Sequence, residues 1–237
     1  MTMKHTSNYQ DFLKVFALLA MFLDHLGLYF FPEYEAMRVI GRIAMPLFCF
    51  FAGYNFHKKP KIKILVVGVI YYAFTIILFG QYMIPNILIS IYLGQLYIYA
   101  FHKSLKRFFY KGYCHVVFLG IFSSITIHLF EYGTLAIAIM VLGYIAKRDP
   151  AYTKLAMLLS IILSVIHTLV IFDFSLVNIY ILVILSGFEY ALIIAKNFEE
   201  RITINLRVIS KYSLYIYAVH VSVIQLIYVY MYINFPL

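Results

Sequence analysis

The sequence predicts an all-α integral membrane protein: a polytopic bundle of about nine transmembrane helices, forming one domain over residues 1–237, with the N-terminus in the cytoplasm. Three observations predict it. The first is composition: of 237 residues, 64% are hydrophobic and 12% charged, where a soluble domain runs near about 45–50% and about 25%. The second is the length of the apolar runs, and the third is the placement of the basic residues between them.

A spanning helix needs about 20 apolar residues. Nine runs approach that length, near 12–31, 39–56, 63–80, 84–101, 115–130, 133–146, 154–172, 176–195 and 211–233. Pro32, Pro60, Pro85, Pro150 and Pro236, with Gly80 and Gly112, punctuate them, as helix breakers do. The first run follows Lys4 and Lys14 and resembles a signal peptide in outline. It contains Asp24 and His25 and lacks a small-residue cleavage site, so it reads as a retained span. Trp is absent; 23 Tyr are available for the interfacial belts. No repeat, low-complexity tract or soluble domain interrupts the series.

Orientation follows from Lys and Arg in the short loops. Lys58, Lys59, Lys61 and Lys63 follow the second run, and Lys103, Lys106, Arg107 and Lys111 follow the fourth. Lys147, Arg148 and Lys154 follow the sixth, and Lys196, Arg201, Arg207 and Lys211 follow the eighth. The alternate loops, near 32–37, 81–83, 131–132 and 173–175, hold none. The net charge of +9 is therefore explained by topogenesis, and nucleic acid is not an expected partner. Arg38 and Arg42 alone break the rule, at the outer end of the second span.

The fifth and sixth runs make helices of about 24 and about 21 Å at roughly 1.5 Å per residue, against a hydrocarbon core of about 30 Å. Their connecting turn, Glu131-Tyr132-Gly133, is expected to sit below the outer surface, with Glu131 reaching into the outer half of the bundle. The two cysteines, Cys49 and Cys114, show neither disulfide nor metal-ligand spacing and read as free buried thiols. No His pair at metal-binding spacing has a third ligand, so no metal is expected. Gly-rich phosphate loops and the G-x-S-x-G nucleophile motif are missing too.

Ionisable groups within spans are costly and mark functional sites. Asp24 and His25 occupy the outer part of span 1. As adjacent helix residues they point about 100° apart, so only one aims straight at the bundle axis. Arg38 and Arg42, four apart, share a helix face, and the short connection makes spans 1 and 2 antiparallel neighbours. One reading is a structural Asp–Arg pair. The other is catalytic: His25 as general base, a carboxylate to orient it and a cation to stabilise developing negative charge. In span 9, SKYSLYIYAVHVSVIQ places Ser213, Tyr217 and His220 on one polar stripe. His128, His167 and Glu189 read as structural, His57 and His102 as interfacial.

Three segments carry a resemblance. DFLKVFALLAMFLDHLG with RVIGRIAMPLFCFFAGYNFH, then EYGTLAIAIMVLGYI, then SKYSLYIYAVHVSVI, resemble in order and content the TraX family, the pilin acetylases of F-type conjugation systems. That family is similar to the wider membrane acyltransferase-3 superfamily. The resemblance picks out Asp24, His25, Arg38, Gly41, Arg42, Pro46, Phe48, Glu131, Gly133, Tyr217 and His220. The segment after EYG departs from the pattern, reading TLAIAI where a second glycine is expected.

The resemblance implies a multi-pass protein of the bacterial inner membrane. It implies acetyl transfer from acetyl-CoA to the amino terminus of a membrane-inserted pilin. His25 would be the base, oriented by Asp24. Arg42, with Arg38, would hold the oxyanion or the cofactor, and His220 and Tyr217 would line the acyl or acceptor pocket. Acetyl-CoA is cytoplasmic, so its pantetheine arm must reach inward with its phosphates near the basic loops. Two rivals remain open: an acyltransferase acting on an envelope glycan or lipid, and a non-enzymatic component of a pilus or secretion assembly. A transporter would be signalled by broken helices in paired halves, a pattern the sequence lacks.

Overall fold

The computed structural model describes residues 7–57, 59–80, 84–107, 109–171 and 175–234; the side chains of residues 106, 107, 109–111, 171 and 234 fall outside that description. Several residues read above therefore lie outside it: Lys4, Lys58, Pro236, the 81–83 loop, residues 173 and 174, and the side chains of Lys106, Arg107 and Lys111.

The described residues form ten α-helices: α1 Tyr9–Tyr29, α2 Glu35–Arg42, α3 Ala44–Tyr54, α4 Ile62–Phe79, α5 Ile87–Arg107, α6 Phe109–Thr126, α7 Gly133–Arg148, α8 Thr153–Ile171, α9 Leu176–Ala195 and α10 Arg207–Asn234. A single turn of 3₁₀-helix, Pro150–Tyr152, precedes α8. Among the described residues the only extended pairing is an isolated bridge, Asn8 with Arg201.

Among the described residues, six stretches are long and apolar enough to cross a membrane: α1, α2 with α3, α4, the Pro150–Val170 stretch, α9 and α10. Their outward faces are oily, with Ile77 82%, Leu176 75% and Val170 73% exposed. Such a continuous apolar surface is at home in lipid. The other three expected spans coincide with α5, α6 and α7, which are shorter or more polar. α5 ends in His102, Lys103, Lys106 and Arg107.

α7 has 16 residues, and every one from Leu135 to Ala146 is buried. A helix apolar on all sides belongs inside a bundle, and α7 packs against α3, α5, α6 and α8. Its approach to α3 is close: a Cβ on Gly53 would lie 1.8 Å from the Met140 carbonyl oxygen, and one on Gly143 2.0 Å from that of Phe50. The glycine missing after EYG is thus no obstacle, because the intimate crossing is made at Gly143 and Gly53.

The second expected span is met by one apolar stretch of 20 residues, Glu35–Tyr54, which carries an internal discontinuity. The chain forms α2, breaks at Ile43 and resumes as α3. Pro46 supplies the reason: it has no N–H for the Arg42 carbonyl, and its ring collides with that carbonyl in a regular helix. Cys114 corrects an expectation, since it is exposed on α6 while Cys49 is buried.

One end of the bundle gathers the basic connections, and here the chain start is tied to the segment before α10. Tyr9 N–H donates to the Glu200 carbonyl at 2.8 Å, and Ile202 N–H to the Ser7 carbonyl at 3.0 Å. Leu206 N–H donates to Ser7 Oγ at 2.6 Å. Asn8 caps α1 in a reciprocal box with Asp11, a strong helix start.

Candidate functional site

The far half of the bundle, away from the basic end, holds Asp24, His25, Arg38, Arg42 and Glu131. Asp24 and His25 follow one another on α1 and part company as the helix geometry requires. Asp24 turns to α2, where its Oδ1 lies 2.7 Å from Arg38 Nη1 and 3.3 Å from Arg42 Nη2. Arg38 Nη1 also donates to the Asp24 carbonyl at 3.1 Å. Arg42 Nη1 donates to the Tyr132 hydroxyl at 3.2 Å. Both Asp24 and Arg42 are buried, at 8% and 6% exposed. A buried carboxylate shared by two guanidiniums leaves a net positive cluster, and it is stable only while each member keeps its partners.

Gly41 makes this approach possible. A Cβ there would sit 2.1 Å from Asp24 Cβ and 2.4 Å from its Cγ, so any side chain would drive the carboxylate off α2. Tyr132 reaches Arg42 from the EYG turn with a left-handed φ of 61°, a conformation that costs a non-glycine residue about 1 kcal/mol or more.

His25 turns the other way, to α10. Its Nδ1 lies 2.7 Å from the Met21 carbonyl; a carbonyl only accepts, so Nδ1 carries a proton, and in the neutral ring Nε2 presents the lone pair. The expected orientation of His25 by Asp24 is therefore corrected: the Asp24 carboxylate is engaged by the arginines, and a backbone carbonyl fixes the ring. His220 repeats the arrangement, with Nδ1 3.0 Å from the Ile216 carbonyl. The rings of His25, His220 and Tyr217 form a mutual cluster, with centroids 5.4 Å apart for the two histidines and 5.8 Å for each with Tyr217.

A cavity of about 130 Å³ opens beside them. His25, Tyr217, Glu131, Tyr29, Tyr71 and Gln225 all line it. Gln225 organises the wall. Its Nε2 donates to the hydroxyls of Tyr29 at 2.9 Å and Tyr71 at 3.2 Å, which leaves both phenolic O–H groups to donate elsewhere. Glu131 joins from the turn, as expected of a residue reaching into the bundle. Its Oε2 accepts from Ile87 N–H at 2.7 Å and caps α5. The Glu131 backbone is pinned as well, its N–H to the Pro85 carbonyl at 2.9 Å and its carbonyl to Ser90 Oγ at 2.8 Å.

The residues singled out from sequence thus fall into three places. His25, Tyr217, His220 and Glu131 gather at or beside the cavity. Asp24, Arg38 and Arg42 form the adjoining ion cluster, which does not line it. Ser213 is buried two turns from His220 and lines a different cavity at the basic end. His167 stands with its ring 5.9 Å from that of Tyr132, behind the ion cluster. Glu189 is buried in α9, and its carboxylate accepts no hydrogen bond from a described residue. His128 is exposed in the turn.

Sequence reasoning missed Tyr29, Tyr71, Tyr132 and Gln225. Gln225 had a signal: it lies eight residues after Tyr217, on the same helix face. The tyrosines had none, being lost among many interfacial ones.

The chain is 46% identical over 237 residues to the uncharacterized protein RP591 of Rickettsia prowazekii (strain Madrid E), covering 97% of this chain and 96% of that one. Over 67 residues it is 42% identical to a probable fimbrial assembly protein, FimC of serogroup H1, from Dichelobacter nodosus, covering 24% of this chain and 28% of that protein. No solved structure matches. The family model described as TraX protein matches residues 9–228, a stretch that includes the ion cluster, the paired histidines and the cavity. The chain belongs to the TraX family.

Proposed function

We propose that this protein is a membrane-embedded acetyltransferase that moves an acetyl group from acetyl-CoA to the amino terminus of a pilin held in the bacterial inner membrane. The observation that carries the reading is His25: its Nδ1 is held by the Met21 carbonyl, so that Nε2 is the nitrogen left to act as a base, at the wall of a small cavity that also presents two phenolic O–H groups. The topology that suits it has nine crossings, with the basic end in the cytoplasm and the site in the outer half.

The step balances simply. The pilin amine attacks the thioester carbonyl carbon while His25 Nε2 takes the amine proton. Tyr29 and Tyr71 hydroxyls donate to the oxyanion, in the manner of preorganised donors elsewhere. The C–S bond then breaks, the new C–N bond remains, and the thiolate leaves with the proton from His25 as coenzyme A. A cavity of about 130 Å³ has room for a few waters or a two-carbon acyl group, and a long acyl chain exceeds it. Asp24, Arg38 and Arg42 act as positioning residues: they lock α1 to α2 and so set the direction of His25.

In the purified protein, His25→Ala is expected to abolish acetyl-CoA-dependent acetylation of pilin at unchanged abundance; full activity in that variant sinks the base assignment. The partial likeness to a probable fimbrial assembly protein favours a second reading, a non-enzymatic assembly component. Under that reading Asp24→Asn loses abundance and pilus assembly together, and His25→Ala loses neither. An acceptor that is an envelope glycan or lipid would leave pilin unmodified while coenzyme A is still released.

A further inference from the structure

Two larger cavities open at the basic end. One, of about 340 Å³, is lined by Lys147, Lys154 and Lys196 together with Glu199. Two of its three lysines are paired with carboxylates: Lys147 with Glu199 at 3.3 Å and Lys196 with Glu200 at 2.7 Å.

The other, of about 270 Å³, lies among α1, α3, α4, α5 and α10. Lys14, Lys61 and Lys211 line it with Asn55, Gln95 and Ser213. None of the three lysines pairs with a carboxylate among the described residues. The Lys14 ammonium rests 5.8 Å from the centre of the Phe51 ring. Gln95 is 4% and Ser213 5% exposed. Gln95 Oε1 accepts the Lys61 backbone N–H at 2.7 Å, so its amide nitrogen is left to donate. The cavity therefore offers three cations and buried polar groups without an internal anion.

Its position matters as much as its charge. Ser213 lines this cavity and Tyr217, one turn further along the same face of α10, lines the cavity at His25. Lys14 and His25 are eleven residues apart on α1, about 16 Å along the helix. The two cavities are thus serial stations along α1 and α10, the inner one polyanion-seeking and the outer one small.

We propose that the cavity of Lys14, Lys61 and Lys211 binds the phosphates of a nucleotide-bearing thioester, so that its arm runs along the Ser213–Tyr217 face and delivers the acyl group to His25. This rests on the acetyl-transfer reading for the identity of the thioester; the anion site itself rests on the lysines.

The test uses the full-length protein in nanodiscs, with Lys14→Gln, Lys61→Gln, Lys211→Gln and the triple variant, each first checked for unchanged thermal unfolding. Transfer is measured with acetyl-CoA and with S-acetylpantetheine, which lacks the phosphates. Binding of coenzyme A itself is measured in discs of phosphatidylcholine alone and with phosphatidylglycerol. Each single variant is expected to raise the KM for acetyl-CoA about tenfold, the scale of one charged hydrogen bond, with kcat held. Use of S-acetylpantetheine is expected to be unchanged, and the triple variant to bind coenzyme A at least a hundredfold more weakly. Equal losses with both donors, or coenzyme A binding untouched in the triple variant, overturn the pocket and leave the reaction standing. Coenzyme A binding that needs the lysines, in a protein that acetylates no pilin, leaves the pocket and removes the acceptor. Lysine-dependent retention of phosphatidylglycerol with coenzyme A affinity unaltered assigns the site to a lipid headgroup and overturns the proposal.

Discussion

Gly41→Ala is a substitution of one methyl group, and the structure states what it meets. The new Cβ would lie 2.1 Å from Asp24 Cβ, 2.4 Å from Cγ and 2.7 Å from Oδ1, where ordinary contact is about 3.5–4.0 Å. Asp24 must retreat by roughly 1.5 Å to restore that contact. Its bond to Arg42 already stands at 3.3 Å, so the retreat breaks at least that pair. Overpacking alone costs about 1–3 kcal/mol. Because His25 is the next residue, its ring moves too, and a misplacement of about 1 Å at a reacting group costs on the order of 10²-fold in rate. Gly120→Ala is the control, since no heavy atom lies within 4 Å of its new Cβ. Unfolding is followed in a Cys114→Ser background by the reaction of the buried Cys49 thiol with a thiol dye on heating, and activity by acetyl-CoA-dependent transfer. A lowered midpoint with about a hundredfold loss of transfer for Gly41→Ala, and neither for Gly120→Ala, is expected. Indistinguishable behaviour of the two alanines refutes the close approach of α1 to α2.

Asp24→Asn removes the only carboxylate paired with the buried Arg42 and the half-buried Arg38 among the described residues and should cost roughly 3–5 kcal/mol, seen as loss of folded protein on size exclusion; Arg42→Gln leaves Asp24 paired to Arg38 and should cost less, and the reverse order contradicts the shared carboxylate. Tyr132→Phe removes one hydrogen bond to a charged group, about 1.5–3 kcal/mol, and a thermal midpoint unchanged from wild type contradicts the Arg42 contact. Glu131→Gln keeps an acceptor for Ile87 N–H and should unfold like wild type, while Glu131→Ala should lose about 0.5–2 kcal/mol as a helix cap does; equal midpoints for the two count against the cap.

What could be read in the chain depended on which rule a residue breaks. Asp24, Arg38 and Arg42 interrupt apolar runs, and the two arginines depart from the alternation of basic loops as well; the structure joins all three. The 100° step between Asp24 and His25 said that they face different neighbours, and it could not say which neighbours, because helix adjacency beyond a short loop is a tertiary property. α10 proves to be the partner of α1, and that contact makes the histidine pair. The discontinuity at Ile43 has its cause in Pro46, a proline that ends no span and is hidden by the apolar run around it. α7 read as a short crossing; its burial on every side follows from an apolar surface with glycines where α3 passes. Tyr29 and Tyr71 carried no signal, since interfacial and site tyrosines look alike until Gln225 is seen bonded to both.

The central claim is a covalent one, and intact mass tests it most directly. Pilin co-expressed with this chain is expected to gain the mass of a single acetyl group, located at its amino terminus, and pilin expressed without the chain or with His25→Ala is expected not to. Pilin of unchanged mass beside wild-type protein at normal abundance contradicts the account.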